Sequence, residues 1–165
     1  MARFARSEAL LASFIGNYFN KIDRKGRISM PAKFRHGLAE EQCQEIVLFP
    51  SREGKAIEAC SQHYMTTLIR GLRRLQASPE QKDAIARTFY SQIAEIPFDG
   101  EGRINLPRHL IEFAELGETA HIMGRGEYIQ FWNPEILKAA NEAANQDVAG
   151  NAWSLSGLAE LGSEP

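Results

Sequence analysis

Nine residues, Asp23-Arg24-Lys25-Gly26-Arg27-Ile28-Ser29-Met30-Pro31, return as Asp99-Gly100-Glu101-Gly102-Arg103-Ile104-Asn105-Leu106-Pro107, and every matched pair lies 76 positions apart. Asp, Gly, Arg, Ile and Pro are identical at the same offsets, and Met30 and Leu106 match in kind. An internal repeat of this kind restricts the chain to architectures made of two related units. A length of 165 residues suits two small half-domains that share one core.

Each copy has a local structural reading. An Asp entering a turn bonds its own backbone two residues on, and a Gly three positions later accepts φ > 0 without a Cβ clash. D-x-x-G therefore closes a hairpin. The chain leaves as an alternating Arg-Ile-x-apolar strand with Ile28 and Ile104 on one face. Pro31 and Pro107 end that strand and open helix-like runs, Ala32 to Leu38 and Arg108 to Phe113, because Pro at the first helical position gives up an N–H that would have no partner there. The expected unit is strand, tight loop, strand, short helix, made twice.

The loop D-x-x-G-R-I-x-apolar-P, present twice and preceded by Gly16-Asn17-Tyr18, resembles the MraZ family of bacterial transcriptional regulators, over roughly Phe14 to Leu137. The resemblance implies a mixed α/β fold of two pseudo-repeated AbrB-like swapped-hairpin units, joined and followed by helices. It implies a cytoplasmic, nucleoid-associated homo-oligomer, a ring, that binds repeated double-stranded DNA boxes upstream of the division and cell-wall gene cluster, including its own gene. The family's Asp-x-x-x-Arg signature falls on Asp23 and Arg27, then on Asp99 and Arg103.

Composition narrows the function further. A hydrophobic content of 44% and a charged content of 24% are those of a globular chain with a packed core. The net charge of −2 argues against a general cationic coat, but the charge is unevenly spread. Between Lys21 and His36, six cations (Lys21, Arg24, Lys25, Arg27, Lys33, Arg35) face Asp23 alone, a net +5 that leaves −7 for the remainder. Cys43 and Cys60 form no C-x-x-C pair and read as reduced thiols of a cytosolic protein. No apolar run approaches the ~20 residues of a membrane span. The start of the chain imitates a short signal peptide, but Glu8 interrupts it and the repeat begins at once, so it is read as cytoplasmic.

In chain order, residues 1–13 are expected to be a mobile leader beyond the family pattern, and 14–62 the first AbrB-like unit. Within it, Tyr18 to Ile22, Glu45 to Phe49 and Gly54 to Ala59 read as strands. A helical connector follows over 63–92. Tyr64, Met65, Leu68, Ile69, Leu72 and Leu75 form one apolar stripe, Ser78-Pro79-Glu80 restarts the helix, and Ala84, Ile85, Thr88, Phe89, Gln92 and Ile93 form a second stripe. The stripes are expected to be mutual core. The second unit covers 93–138, with strands at Ala94 to Phe98 and Arg103 to Leu106 and a hairpin about Gly124-Arg125-Gly126. Residues 139–165 carry the end of a final helix and a sparse tail anchored by Trp153, Leu155, Leu158 and Leu161, expected to be disordered rather than docked on a neighbouring subunit.

The DNA-binding candidates are Arg24, Lys25 and Arg27 on the first loop, Lys33 and Arg35 on the helix behind it, and Arg103 on the second loop. Arginine suits the task because its planar fork bonds two acceptors together, on a phosphate or on the O6/N7 edge of guanine, and a two-stranded hairpin is thin enough to enter a major groove. Asp23, Gly26, Asp99 and Gly102 are assigned to loop structure. An Asp–Arg pair across a tight turn also serves to fix the loop, and the two roles of Arg27 and Arg103 are compatible. Glu101 stands where Lys25 stands in the first copy, which suggests a division of labour.

No catalytic residue, metal, cofactor, membrane contact or small-molecule substrate is expected. His36, His63, His109 and His121 lack metal-ligand spacing, and no G-x-S-x-G, H-E-x-x-H or phosphate loop is present. The rival functions are an antitoxin-like protein–protein interaction module of the same fold and, more weakly, an enzyme using Asp23 or Asp99 as acid or base.

Overall fold

The computed structural model describes residues 14–148 and 155–163; the leader 1–13 and Trp153 lie outside them. In chain order the elements are β1 (Asn17–Lys21), β2 (Arg27–Ser29), α1 (Ala32–Glu40), β3 (Glu45–Pro50), β4 (Ala56–Cys60), α2 (Gln62–Arg74), α3 (Pro79–Tyr90), β5 (Ala94–Pro97), β6 (Arg103–Asn105), α4 (Arg108–Phe113), β7 (Thr119–Gly124), β8 (Ile129–Trp132), α5 (Pro134–Val148) and α6 (Leu155–Gly162). The fold is mixed α/β. Its strands form a six-stranded antiparallel sheet ordered β1-β7-β8-β4-β3-β5 and a two-stranded ribbon, β2-β6.

Strand partners are chosen across the chain rather than along it. β1 pairs with β7, β5 with β3, β4 with β8 and β2 with β6; β3-β4 and β7-β8 are the pairs between sequence neighbours. Side chains alternate between faces along each strand. One face of the sheet presents Ile46, Leu48, Ile57, Ala59, Ala120, Ile122, Ile129 and Phe131, all buried, to a core completed by Ile28 and Ile104 of the ribbon and by Phe34, Leu38 and Leu110 of α1 and α4. Ile28 and Ile104 face one another in register and are 0% and 1% exposed. That core carries the ribbon, and the alternation that sends the two isoleucines inward sends Arg27, Ser29, Arg103 and Asn105 outward.

The other face of the sheet presents Val47, Phe49 and Cys60 to a smaller cluster with Met65 of α2. Burial pushes the Cys60 thiol pKa up, which leaves it an unreactive packing group. Ser61 caps α2 by accepting from the Tyr64 N–H, and Ser78 with Gln81 forms a reciprocal capping box on α3 behind Pro79.

The expectation that the α2 and α3 stripes form a mutual core holds only in part: Tyr64, Leu68, Ile69, Phe89 and Ile93 pack, partly buried, against the cluster of Met65 on the sheet. Met65 is the buried side chain of α2, and α3 buries none. The helices lean on the sheet and leave an open groove between them of about 580 Å3, lined by Phe49, Leu68, Leu72, Ile85 and Phe89 with Arg52 and Glu58.

The chain divides into two compact units, Met1–Pro134 and Glu135–Pro165. The second holds the body of α5, the final helix the sequence suggested, and all of α6, which stands where a sparse tail was expected; Leu158 and Leu161 of α6 are exposed. Among the described residues no helix is long and apolar enough to cross a membrane.

Candidate nucleic-acid interface

The two loops are built by the same hydrogen bonds. In the first, Asp23 Oδ1 accepts from the Lys25 and Arg27 N–H groups at 2.9 Å each, and its Oδ2 accepts from Arg27 Nε at 2.6 Å. In the second, Asp99 Oδ1 accepts from the Glu101 and Arg103 N–H groups at 2.8 and 2.9 Å, and Oδ2 from Arg103 Nε at 2.8 Å. Gly26 and Gly102 close the turns at φ +82° and +73°, and each donates its N–H to the carbonyl of the leading Asp. A side chain at either position would meet the strain of the left-handed region.

These contacts set the electrostatics. The backbone N–H of Arg27, then its side chain and the Lys25 N–H, hold the Asp23 carboxyl below the usual range. The Arg103 backbone N–H and side chain likewise hold Asp99 at about 2. Asp99 raises the Arg103 pKa in turn, with Glu101 and Asp23 adding to the effect. Each aspartate is therefore an anion that fixes its arginine by Nε, and the arginine side chains stay partly exposed.

The ribbon holds the loops at its two ends. Met30 N–H donates to the Gly102 carbonyl at 3.1 Å, and Leu106 N–H donates to the Gly26 carbonyl at 2.9 Å, so each loop is tied to the strand that leaves the other. Across the ribbon Arg27 faces Asn105 and Ser29 faces Arg103. The outward surface is thus a patch of two arginines, a serine and an asparagine on a two-stranded ribbon. Ser29 and Asn105 were not singled out in the sequence. Their signal was the period of two, which puts them on the same face as the arginines.

The remaining candidates divide between places. Arg24 and Lys25 are exposed at the tip of the first loop. Lys25 also borders a recess with Asn105, Pro107 and Arg108. Arg35, on the helix that follows the first loop, lies against the second: its side chain covers Gly102, where a Cβ would come within 2.7 Å of it, and its Nε donates to the Met30 carbonyl at 3.1 Å. Over Gly26 the corresponding neighbour is Ile111, an apolar side chain. Lys33 donates from Nζ to the Ile15 carbonyl at 3.0 Å, ahead of β1 and so at the opposite end of that strand from the loop.

The loops differ in charge. Asp23, Arg24, Lys25 and Arg27 give the first +2, whereas Asp99, Glu101 and Arg103 give the second −1. Asp23 is the acid paired with Arg27. Arg103 has two, Asp99 through Nε and Glu101 Oε2 on Nη1 at 3.1 Å. Among the described residues no group of three or more His, Cys, Asp or Glu is placed to hold a metal ion.

A patch of partly exposed guanidinium groups on a rigid ribbon is suited to phosphate oxygens and guanine edges. A family model described as "MraZ protein, putative antitoxin-like" matches residues 13–52. A protein named transcriptional regulator MraZ from Parvibaculum lavamentivorans is 40% identical over 139 residues, covering 84% of this chain and 86% of the relative. Proteins of the same name from Rhodospirillum rubrum and Pelagibacter ubique are 38% and 33% identical; these matches cover 83% and 85% of this chain and 90% and 93% of the relatives. With identities above 30% over more than two thirds of its length, and with the Asp-x-x-x-Arg loop in both halves, the chain belongs to the MraZ family.

Proposed function

We propose that this chain is a sequence-specific DNA-binding regulator of transcription, acting on repeated boxes upstream of a division and cell-wall gene cluster that includes its own gene. The observation that carries it is the ribbon: Arg27 fixed by Asp23 and partly exposed, beside the charges of Arg24 and Lys25, which form no ion pair among the described residues. Arg27, Arg24 and Lys25 make the main contact, Arg103 with Arg35 a second one, and Lys33 adds charge at the far end of β1. Asp23, Gly26, Asp99 and Gly102 keep the loops in shape. Residues 14–62 and 93–138 act as two swapped-hairpin units joined by the connector 63–92, a division supported by β1 and β5 each pairing in the other half. The leader 1–13 and the segment 139–165 lie outside the DNA-binding units.

One protomer offers few phosphate contacts and would bind poorly at physiological salt. Assembly into a ring on repeated boxes raises the effective concentration of each further contact, which makes weak units useful. The protein works in the cytoplasm at the nucleoid, and the function requires no cofactor or catalytic group.

The test is an anisotropy titration of labelled DNA from upstream of the protein's own gene against scrambled DNA, at two salt concentrations. Wild type is expected to prefer the upstream DNA, with affinity falling by about 0.9 log units per log unit of salt for each phosphate neutralised. Arg27→Ala is expected to lose that preference while keeping its fold and oligomer size. Equal, salt-independent binding to both DNAs would leave the second reading, an antitoxin-like interaction module, which the open apolar groove between α2 and α3 favours.

A further inference from the structure

The β2-β6 ribbon is close to two-fold symmetric where it is built and asymmetric where it is charged. Ile28 opposite Ile104 marks the centre, and the pairs Arg27 with Asn105 and Ser29 with Arg103 flank it at equal distance in the register. Each arginine is fixed by the same Asp contact, and their side chains are 35% and 28% exposed, so neither is hidden. A surface with this symmetry and equal charge would bind DNA equally well in either orientation, and a two-fold protein surface matches a palindromic site. The side chains around the ribbon break the equivalence: Arg24 stands against Gly100, Lys25 against Glu101 and Arg35 against Ile111, and of these Glu101 bonds the arginine itself. Glu101 takes Nη1 of Arg103 at 3.1 Å, at the position where the first loop carries Lys25.

We infer that Glu101 is the residue that orients this protein on DNA: by occupying Nη1 of Arg103 it weakens the second loop as a phosphate contact and leaves the first loop to lead. The inference rests on the DNA-binding reading proposed above and deepens it. An exposed carboxylate near a phosphate is repelled, and the repulsion falls on one half of the ribbon only. Arg35 partly offsets this, because it reaches from α1 onto Gly102 and returns a positive charge to the second loop. The second loop is a composite of both halves of the chain, whereas the first carries its own cations and has Ile111 as its neighbour. The box that fits such a surface is non-palindromic and is read in one direction.

The experiment compares wild type, Glu101→Lys, Glu101→Gln, Arg103→Ala and the double variant Glu101→Lys/Arg103→Ala, each titrated onto the upstream DNA at several salt concentrations. Thermal unfolding and sedimentation serve as controls for fold and assembly. Glu101→Lys is expected to bind about five-fold more tightly per protomer contact at 0.15 M salt and to steepen the salt slope by about 0.9 for each new phosphate contact. Glu101→Gln should show a smaller gain without an added cation. Arg103→Ala in the wild-type background should change binding less than Arg27→Ala does, and in the Glu101→Lys background it should remove part of the gain. A second readout is orientation: with a cleavage reagent tethered at Glu118→Cys, an exposed position beside the first loop, the otherwise unchanged protein should cut to one side of each box, and Glu101→Lys should cut to both. Wild type binding the upstream DNA while Glu101→Lys leaves affinity, slope and cleavage pattern unchanged would overturn the inference and keep the DNA-binding reading. Failure of wild type to bind DNA would overturn both.

Discussion

Asp99 shows how much of a loop one carboxylate can organise. It accepts two backbone N–H groups and an arginine Nε, and its pKa falls to about 2. Because the folded value lies below the unfolded value near 3.9, the carboxylate's contribution is fully present above the latter. It fades as pH drops below about 4 and is gone once pH passes through the folded value near 2. A carboxyl-detected NMR titration should place the Asp99 midpoint near 2, with the Arg103 amide shifting in parallel; a midpoint near 4 would mean that the loop bonds are not held in solution. The D-x-x-G-R spacing made this arrangement legible, since all of its bonds close within four residues. The left-handed backbone of Gln42 and Glu115 just past α1 and α4 was not legible, because neither is the Gly or Asn that usually marks such a site.

At the scale of elements, the strands and most helices follow the periodicity of their apolar residues. The connector does not follow it to the end. Its stripes were readable as helices, but periodicity records which residues share a face and not what that face meets. In the fold α2 and α3 share one side of the sheet, where Met65 is their one buried side chain and Leu68, Ile69 and Phe89 pack beside it half-buried. Met65, 7% exposed, is therefore core, and Ile85, 40% exposed, is groove wall. Met65→Ala should destabilise by about 2–4 kcal/mol. Ile85→Ala should cost under about 1 kcal/mol, as half-exposed positions do. Urea denaturation of the two variants measures the difference, and equal losses would mean that the groove is closed in solution. The short α6 was missed for a related reason, since eight residues rich in Gly, Ser, Ala and Leu carry no decisive helical signal.

For the whole molecule the pairing of strands matters most. Of the strands in residues 14–62, β1 and β2 have their partners in the second half, as does the outer edge of each strand in the β3-β4 hairpin. A fragment ending at residue 62 should be unfolded as a monomer and gain β structure only by associating with itself, as circular dichroism and sedimentation across a concentration series would show. A folded monomer at low micromolar concentration would contradict the dependence on exchanged strands.

What is local could be read from the residues: the two Asp-held turns, the arginines that alternate with inward isoleucines, and the uneven charge of the loops. Spacings of two to four residues decide these features before any distant contact forms. Tertiary structure alone decided that Arg35 covers the second loop instead of the first, that Lys33 is tied away from both, and that Asn105 stands across from Arg27. Those contacts join residues far apart in the chain, and their geometry depends on which strands pair and in what register, which no short spacing encodes.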